Sequence, residues 1–116
     1  MPSSPNPKTG EIWDVTFDPV VGHEQGGFRP GLVISNDQFN ETPHGLCLVA
    51  PFTGTDRGVP SHVPVAVSEG GLTKPSVVMC EQVRSVSVLR FRRRRGMLSP
   101  GTLDLVQATV GMFIDR

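Results

Sequence analysis

Long apolar runs are absent from this chain. No stretch approaches the roughly 18 consecutive apolar residues that a membrane-spanning helix needs. Residues 1–9 are rich in proline and serine with no apolar centre, which predicts a flexible tail and no secretory signal. Cysteine is scarce: Cys47 and Cys80 each sit inside an apolar run, and in a non-secreted protein the expectation is two buried thiols rather than a disulfide. No histidine lies near either cysteine in sequence to make a zinc pattern. These features together predict a cytoplasmic protein. Net charge is also absent, with eleven Lys plus Arg against eleven Asp plus Glu, and charged residues make up only 19%, which argues against wholesale disorder. The usual catalytic signatures are missing: there is no G-x-x-x-x-G-K-[ST], no H-E-x-x-H and no G-x-S-x-G. The histidines His23, His44 and His62 are far apart, and His44 and His62 are expected to be solvated or capping.

What the chain has in excess is turn-forming residues. Gly and Pro number 13 and 11 in 116 residues, about 21% against an average near 12%, so turns are many and long helices few. The length suits one domain, here residues 10–116, with no room for a separate cofactor domain. Charge is unevenly placed. Residues 1–89 hold five basic and nine acidic groups, net −4, whereas residues 90–116 hold six basic and two acidic, net +4. Five of the nine arginines fall within residues 90–95, so a polyanionic partner is compatible with a neutral total.

Periodicity supplies the elements. Residues 11–18 (EIWDVTFD) alternate so that Trp13, Val15 and Phe17 share one face of a strand. Residues 20–28 read as a glycine-containing loop, residues 31–35 as a buried strand, 36–45 as a loop and 46–52 as a third strand. After a loop over 53–61, residues 62–67 alternate again, and Pro64 makes that strand an edge. The β-branched residues of 76–89 predict one long strand or two with a bend, and residues 90–96 a basic turn or strand end. Ser99-Pro100 starts a helix, with Ser as N-cap and Pro first, in which Leu103, Val106, Val110 and Phe113 recur at helical spacing. The expectation is a mainly β fold of five to six short strands with a C-terminal helix, a small and strongly bent barrel.

The segment most able to carry chemistry is residues 22–30, G-H-E-Q-G-G-F-R-P. Gly22, Gly26 and Gly27 bring backbone amides close to whatever the loop contacts, and such amides can form an anion-binding nest. Glu24, Gln25 and Arg29 add an acceptor, an amide and a planar cation whose fork matches phosphate oxygens in pairs. A glycine-rich hairpin with a solvated arginine fits the same spacing.

The residues taken together resemble the MazF/PemK family of toxins from toxin–antitoxin systems. The likeness runs through G-E-I-W-D-V-T-F-D-P-V-V-G at residues 10–22, E-Q-G-G-F-R-P at 24–30, G-L-V-I-S-N-D at 31–37, L-V-A-P-F-T at 48–53 and E-Q-V-R-S-V at 81–86. It covers roughly residues 8–116. It implies a homodimeric, metal-independent endoribonuclease with an SH3-like barrel. Such an enzyme needs no cofactor, cuts single-stranded RNA by 2′-OH attack to leave a 2′,3′-cyclic phosphate and a 5′-OH, and is held inactive by a MazE-type antitoxin. The family's catalytic arginine falls on Arg29, its threonine on Thr53 and its loop glutamate on Glu24. His23 replaces the small polar residue that many relatives carry before E-Q: it is either a neutral surface replacement or a titrating group beside the scissile phosphate.

The chemistry agrees with that assignment. Intramolecular 2′-OH attack needs a positioned phosphate and stabilisation of the extra charge on five-coordinate phosphorus. Arg29 can supply a bidentate cation and Thr53 a further donor. Arginine is a poor base on intrinsic pKa, which favours Glu24 for proton transfer. Gln25 and Gln82 carry amides suited to base edges, and Arg84 suits phosphate or base stacking, although Gln82 and Arg84 fit equally well as solvent-facing strand residues. Arg90 and residues 92–95 fit an RNA track, a seat for an acidic antitoxin tail, or a solvated face. Two rival functions are a CcdB-like gyrase poison and a non-catalytic RNA-binding barrel. The first depends on a C-terminal Trp-Gly-Ile. Here the last residues read Met112-Phe113-Ile114-Asp115-Arg116, and the single tryptophan is Trp13.

Overall fold

The computed structural model describes residues 5–17 and 28–114. Seven strands precede a long C-terminal helix: β1 (Glu11–Val15), β2 (Arg29–Val33), β3 (Leu46–Thr53), β4 (His62–Val65), β5 (Ser76–Met79), β6 (Arg84–Ser87), β7 (Phe91–Met97) and α2 (Pro100–Ile114), with a one-turn helix α1 (Asp37–Asn40) between β2 and β3. The strands run β4-β5-β3-β2-β1-β7, all pairs antiparallel, and β6 pairs with β3 off that path. The sheet bends like a barrel without closing.

Strand β3 is the axis of the bend. One edge holds β2 along Val49–Pro51; the other holds β6 along Leu46–Val49 and then β5 along Phe52–Thr53. Alternation along the strands feeds two cores. Ile12, Leu32, Ala50, Phe52 and Val78 bury against Val106 of α2, with Leu103 and Val110 packed beside them. Val15, Phe17, Val33, Cys47, Val49, Val86 and Phe91 form the second core, flanked by Trp13, whose ring lies edge-on to Phe91 with centroids 5.5 Å apart. The shared face expected for Trp13, Val15 and Phe17 is therefore present. Burying a side chain of the Ile12 or Leu32 kind contributes about 1.5–3 kcal/mol.

Gly31 is where the sheet is tightest. A Cβ there would lie 2.6 Å from Val49 Cγ1 and 2.9 Å from Phe17 Cζ, so only glycine lets β3 and Phe17 close on β2 just past Arg29.

Several sequence expectations need correction. Residues 36–45 are not all loop: Asn36 Oδ1 accepts from the Phe39 amide at 2.8 Å and caps α1. The 76–89 stretch, by contrast, takes the second of its two expected forms, two strands with a bend: a 3₁₀ turn over Cys80–Gln82 separates them. The basic 90–96 segment is most of β7, an edge strand rather than a turn, which raises the count to seven. Pro7, placed in the tail by sequence, is fully buried, and the Thr9 amide donates to Asp37 at 2.7 Å. Pro100 opens α2 as expected, but the Ser99 hydroxyl donates to Glu69 at 2.7 Å. Phe113, expected on the packed face of α2, is 48% exposed.

Candidate functional site

Register brings the first two candidate residues together. β2 pairs Gly31 with Pro51 of β3, and continuing that antiparallel register by two residues sets Arg29 beside Thr53. Pro30 fixes the chain direction where β2 begins, so Arg29 stands at the mouth of a strand. Its side chain is exposed, and it has no ion-pair partner among the described residues. Arg29 and Thr53 together line two cavities of about 360 Å³ each. Arg29 also lines a third, of about 180 Å³, with Phe17, Pro51, Gln82 and Arg84. The structure thus gathers Thr53, Gln82 and Arg84 in the cavities that Arg29 lines. The Arg84 guanidinium lies 6.0 Å from the centre of the Phe17 ring. His23, Glu24, Gln25 and Gly26 lie outside the described residues.

The second cavity contains a pair that sequence reasoning passed over. His62 and Glu81 both line it with Arg29, Thr53 and Gln82. Pairing of His62 with Met79 in the β4–β5 ladder carries the imidazole to the 3₁₀ turn that follows β5. His62 Nε2 lies 3.0 Å from Glu81 Oε2, and the Ser61 hydroxyl donates to Glu81 Oε1 at 2.6 Å. Burial alone would raise the Glu81 pKa, but hydrogen bonds from Ser61 and His62 outweigh it and hold the carboxyl below its usual range. His62, expected to be solvated or capping, has a side chain only 8% exposed, and its buried Nδ1 has no hydrogen-bond partner among the described residues. Glu81 had a signal, as the first letter of E-Q-V-R-S-V; His62 had none beyond its place at a strand start. His44 is the capping histidine expected, accepting from the Leu46 amide at 2.9 Å.

The arginine run is largely committed to the fold. Arg94 Nε donates to Glu11 at 2.6 Å, Arg95 donates to Asp14 at 3.0 Å, and Arg93 lies 3.6 Å from the same carboxylate. Glu11 and Asp14 are 7% and 3% exposed, so these pairs neutralise buried charge across the β1–β7 ladder. Burial would push Glu11 up, yet the Lys8 amide, the Trp13 indole and Arg94 together hold it below its usual range. Arg90 donates to the Thr16 carbonyl, and Arg92 sits 5.8 Å over the Phe28 ring.

Neither cysteine offers a nucleophile. Both are free and buried, as expected, and burial pushes each thiol up to about 11, with Glu81 adding to the effect at Cys80. Among the described residues no group of three His, Cys, Asp or Glu is placed to hold a metal ion, and no helix is long and apolar enough to cross a membrane.

Comparison with known proteins bears on this geometry. The family model described as a PemK-like, MazF-like toxin of type II toxin–antitoxin systems matches residues 8–114. The chain is 32% identical to the endoribonuclease toxin MazF of Escherichia coli K12, covering 93% of this chain and 94% of the relative. It is also 32% identical to the endoribonuclease EndoA of Bacillus subtilis, covering 85% and 86%. Among solved structures, MazF of Deinococcus radiodurans superposes with a TM-score of 0.77 at 29% identity, covering 93% of this chain and 96% of that one. A MazE–MazF structure from the same organism gives 0.80 at 29%, covering 94% and 96%. The chain therefore belongs to the PemK/MazF family of type II toxins.

Proposed function

We propose that this protein is a toxin that cuts single-stranded RNA in the groove around Arg29, through attack of a ribose 2′-OH on the adjoining phosphodiester. It is an endoribonuclease of the MazF type. The observation that carries the site is the sharing of two cavities by Arg29 and Thr53 from adjacent strands. In the reaction a P–O2′ bond forms and the P–O5′ bond breaks, leaving a 2′,3′-cyclic phosphate and a 5′-OH. The 2′-OH loses a proton and the departing 5′ oxygen gains one. The Arg29 fork takes two phosphate oxygens as charge builds on phosphorus, and the Thr53 hydroxyl adds a third donor. Neither step needs a metal-bound hydroxide, because the nucleophile belongs to the substrate.

Glu24 is the sequence candidate for accepting the 2′-OH proton. Glu81 is a second carboxylate, lining the same cavity as Arg29 and Thr53 and held ionised by Ser61 and His62. Gln25, Gln82 and Arg84 contact bases or phosphates on either side, as do His23 and Gly26, which precede Arg29 in sequence. The relatives solved as MazE–MazF complexes support a MazE-type antitoxin as partner. A second copy of the chain is the other partner: Leu105 and Met112 of α2 are 54% and 73% exposed, apolar surface that a homodimer would cover.

Incubation of the pure protein with a long RNA in EDTA tests the reading. Cleavage is expected to persist, with 5′-OH and 2′,3′-cyclic ends, and a single 2′-deoxynucleotide on the 5′ side of the cut should block it. Cleavage at the deoxy site would mean that water attacks instead. Loss of activity in EDTA with recovery on adding Mg²⁺ would overturn the metal-free mechanism, and no cleavage under any condition would return the non-catalytic rivals.

A further inference from the structure

The first of the two Arg29–Thr53 cavities differs in character from the second. Among the described residues no carboxylate lines it. Pro30, Phe52 and Leu72 line it with apolar side chains, and Lys74 and Arg95 line it with cations besides Arg29. The two cations are not equivalent. Arg95 is 16% exposed and spent, donating to Asp14 at 3.0 Å and to the Gly71 carbonyl at 3.2 Å. Lys74 is exposed, and its ammonium has no ion-pair partner among the described residues.

The wall carrying Lys74 is built tightly. Gly70 and Gly71 take φ of 65° and 72° and lie flush on β7. A Cβ on Gly71 would fall 2.1 Å from the Arg95 carbonyl oxygen, and one on Gly96 would fall 2.6 Å from Gly70 backbone. That close approach turns Leu72, 7% exposed, into the wall and sends Lys74 back toward β3, where its Cε lies 3.6 Å from the position of a Cβ on Gly54. Thr53 is the next residue along. Lys74 therefore lines the same cavity as Arg29 and Thr53, together with Pro30, Phe52 and Leu72, and neither cation has an ion-pair partner among the described residues.

We propose that this cavity seats the nucleotide adjoining the scissile phosphate, with its base against Pro30 and Leu72 and its far phosphate on Lys74. The proposal rests on the reading of Arg29 as the scissile-phosphate ligand. A volume of about 360 Å³ is at the low end for a small-molecule site and suits one nucleotide rather than a run of them. Apolar side chains lining one cavity together with Arg29 and Lys74 match a base held between two backbone phosphates. Lys74 acts here as a positioning residue, because it touches a phosphate that does not react.

Binding and cleavage separate the proposal from the reading beneath it. A short mixed-sequence oligoribonucleotide, with 2′-deoxy substitution to prevent cutting, is titrated against wild type, Lys74→Ala and Lys74→Arg. Lys74→Ala should weaken binding about tenfold at low salt, and its log K against log salt should be shallower by roughly 0.7, the value for one phosphate contact on a single strand. Lys74→Arg should bind as wild type. On a cut-site oligonucleotide, Lys74→Ala should raise KM and leave kcat at saturation within about twofold. Among the phosphates flanking the cut, replaced one at a time by neutral methylphosphonate, one position should weaken wild type but leave Lys74→Ala indifferent. Unchanged affinity and salt slope in Lys74→Ala overturn the proposal, as does a fall in kcat with KM unchanged. If wild type binds RNA but cuts none, the endoribonuclease reading fails while the binding measurement still decides the role of Lys74.

Discussion

Replacing Arg29 by alanine tests the proposed chemistry most directly. The side chain is exposed and makes no ion pair among the described residues, so its removal should change folding stability by no more than about 0.5 kcal/mol. Its neighbours hold the backbone independently: Pro30 precedes Gly31, whose contact with Val49 and Phe17 belongs to the second core. The catalytic loss should be large. One preorganised donor on a developing negative charge is worth about 10²–10³ in rate, or roughly 2.7–4 kcal/mol. A fork that delivers two such bonds to one phosphate should cost at least the upper end. Arg29→Lys keeps the charge and loses the planar pair of donors, so it should recover little. Thr53→Ala removes one neutral donor that water can partly replace, and should fall between wild type and Arg29→Ala. Single-turnover rates on a mapped RNA site, with thermal unfolding of each variant measured alongside, give the ordering. An Arg29→Ala protein that is folded and cuts within tenfold of wild type would refute the assignment.

The remaining predictions concern assembly and acid stability. The native mass should be that of a dimer at tens of micromolar (about the range of ordinary homodimer strength), and a mass measurement finding only monomer would count against a second copy on α2. For Glu11 the folded carboxyl is held below its usual value of 4.5, so its contribution to stability is complete above that value and is lost as pH falls through 4.5 toward the folded pKa. Urea midpoints measured through that window should fall with acidification in wild type and less steeply in Glu11→Gln; identical slopes would show that Arg94, Trp13 and the Lys8 amide do not stabilise the charged form.

Local patterning was enough for some elements and not for others, for reasons visible in particular residues. β1 was legible because Trp13, Val15 and Phe17 recur at every second residue on the face that joins the second core, although Ile12 and Asp14 on the other face are buried as well. α2 was legible because Leu103, Val106 and Val110 recur at helical spacing against the sheet. β7 was not, because a run of arginines reads as a solvated turn. It is a strand because β1 brings two buried carboxylates, Glu11 and Asp14, into register with it, and those counter-charges are some eighty residues away in sequence. α1 has a readable cap in Asn36, but four residues are too few to show a period.

The candidate site divides in the same way. Spacing alone left Arg29 a solvated loop residue as readily as a phosphate ligand; the family resemblance singled out Arg29 and Thr53, and the β2–β3 register supplies the physical reason they meet. His62 and Glu81 come together only because a strand pairing fixes one and a 3₁₀ turn the other, and neither constraint exists in a local window. Lys74 is a more extreme case. Nothing in T-K-P marks it, since a lysine before a proline in a turn is ordinary surface. Its position depends on Gly70, Gly71 and Gly96 allowing two backbones to touch, which is a property of the folded packing alone. Residues whose chemistry is intrinsic to their side chain, as in the arginine fork, can be nominated from sequence. Residues whose chemistry depends on which cavity they enter become visible only once the sheet has been laid out.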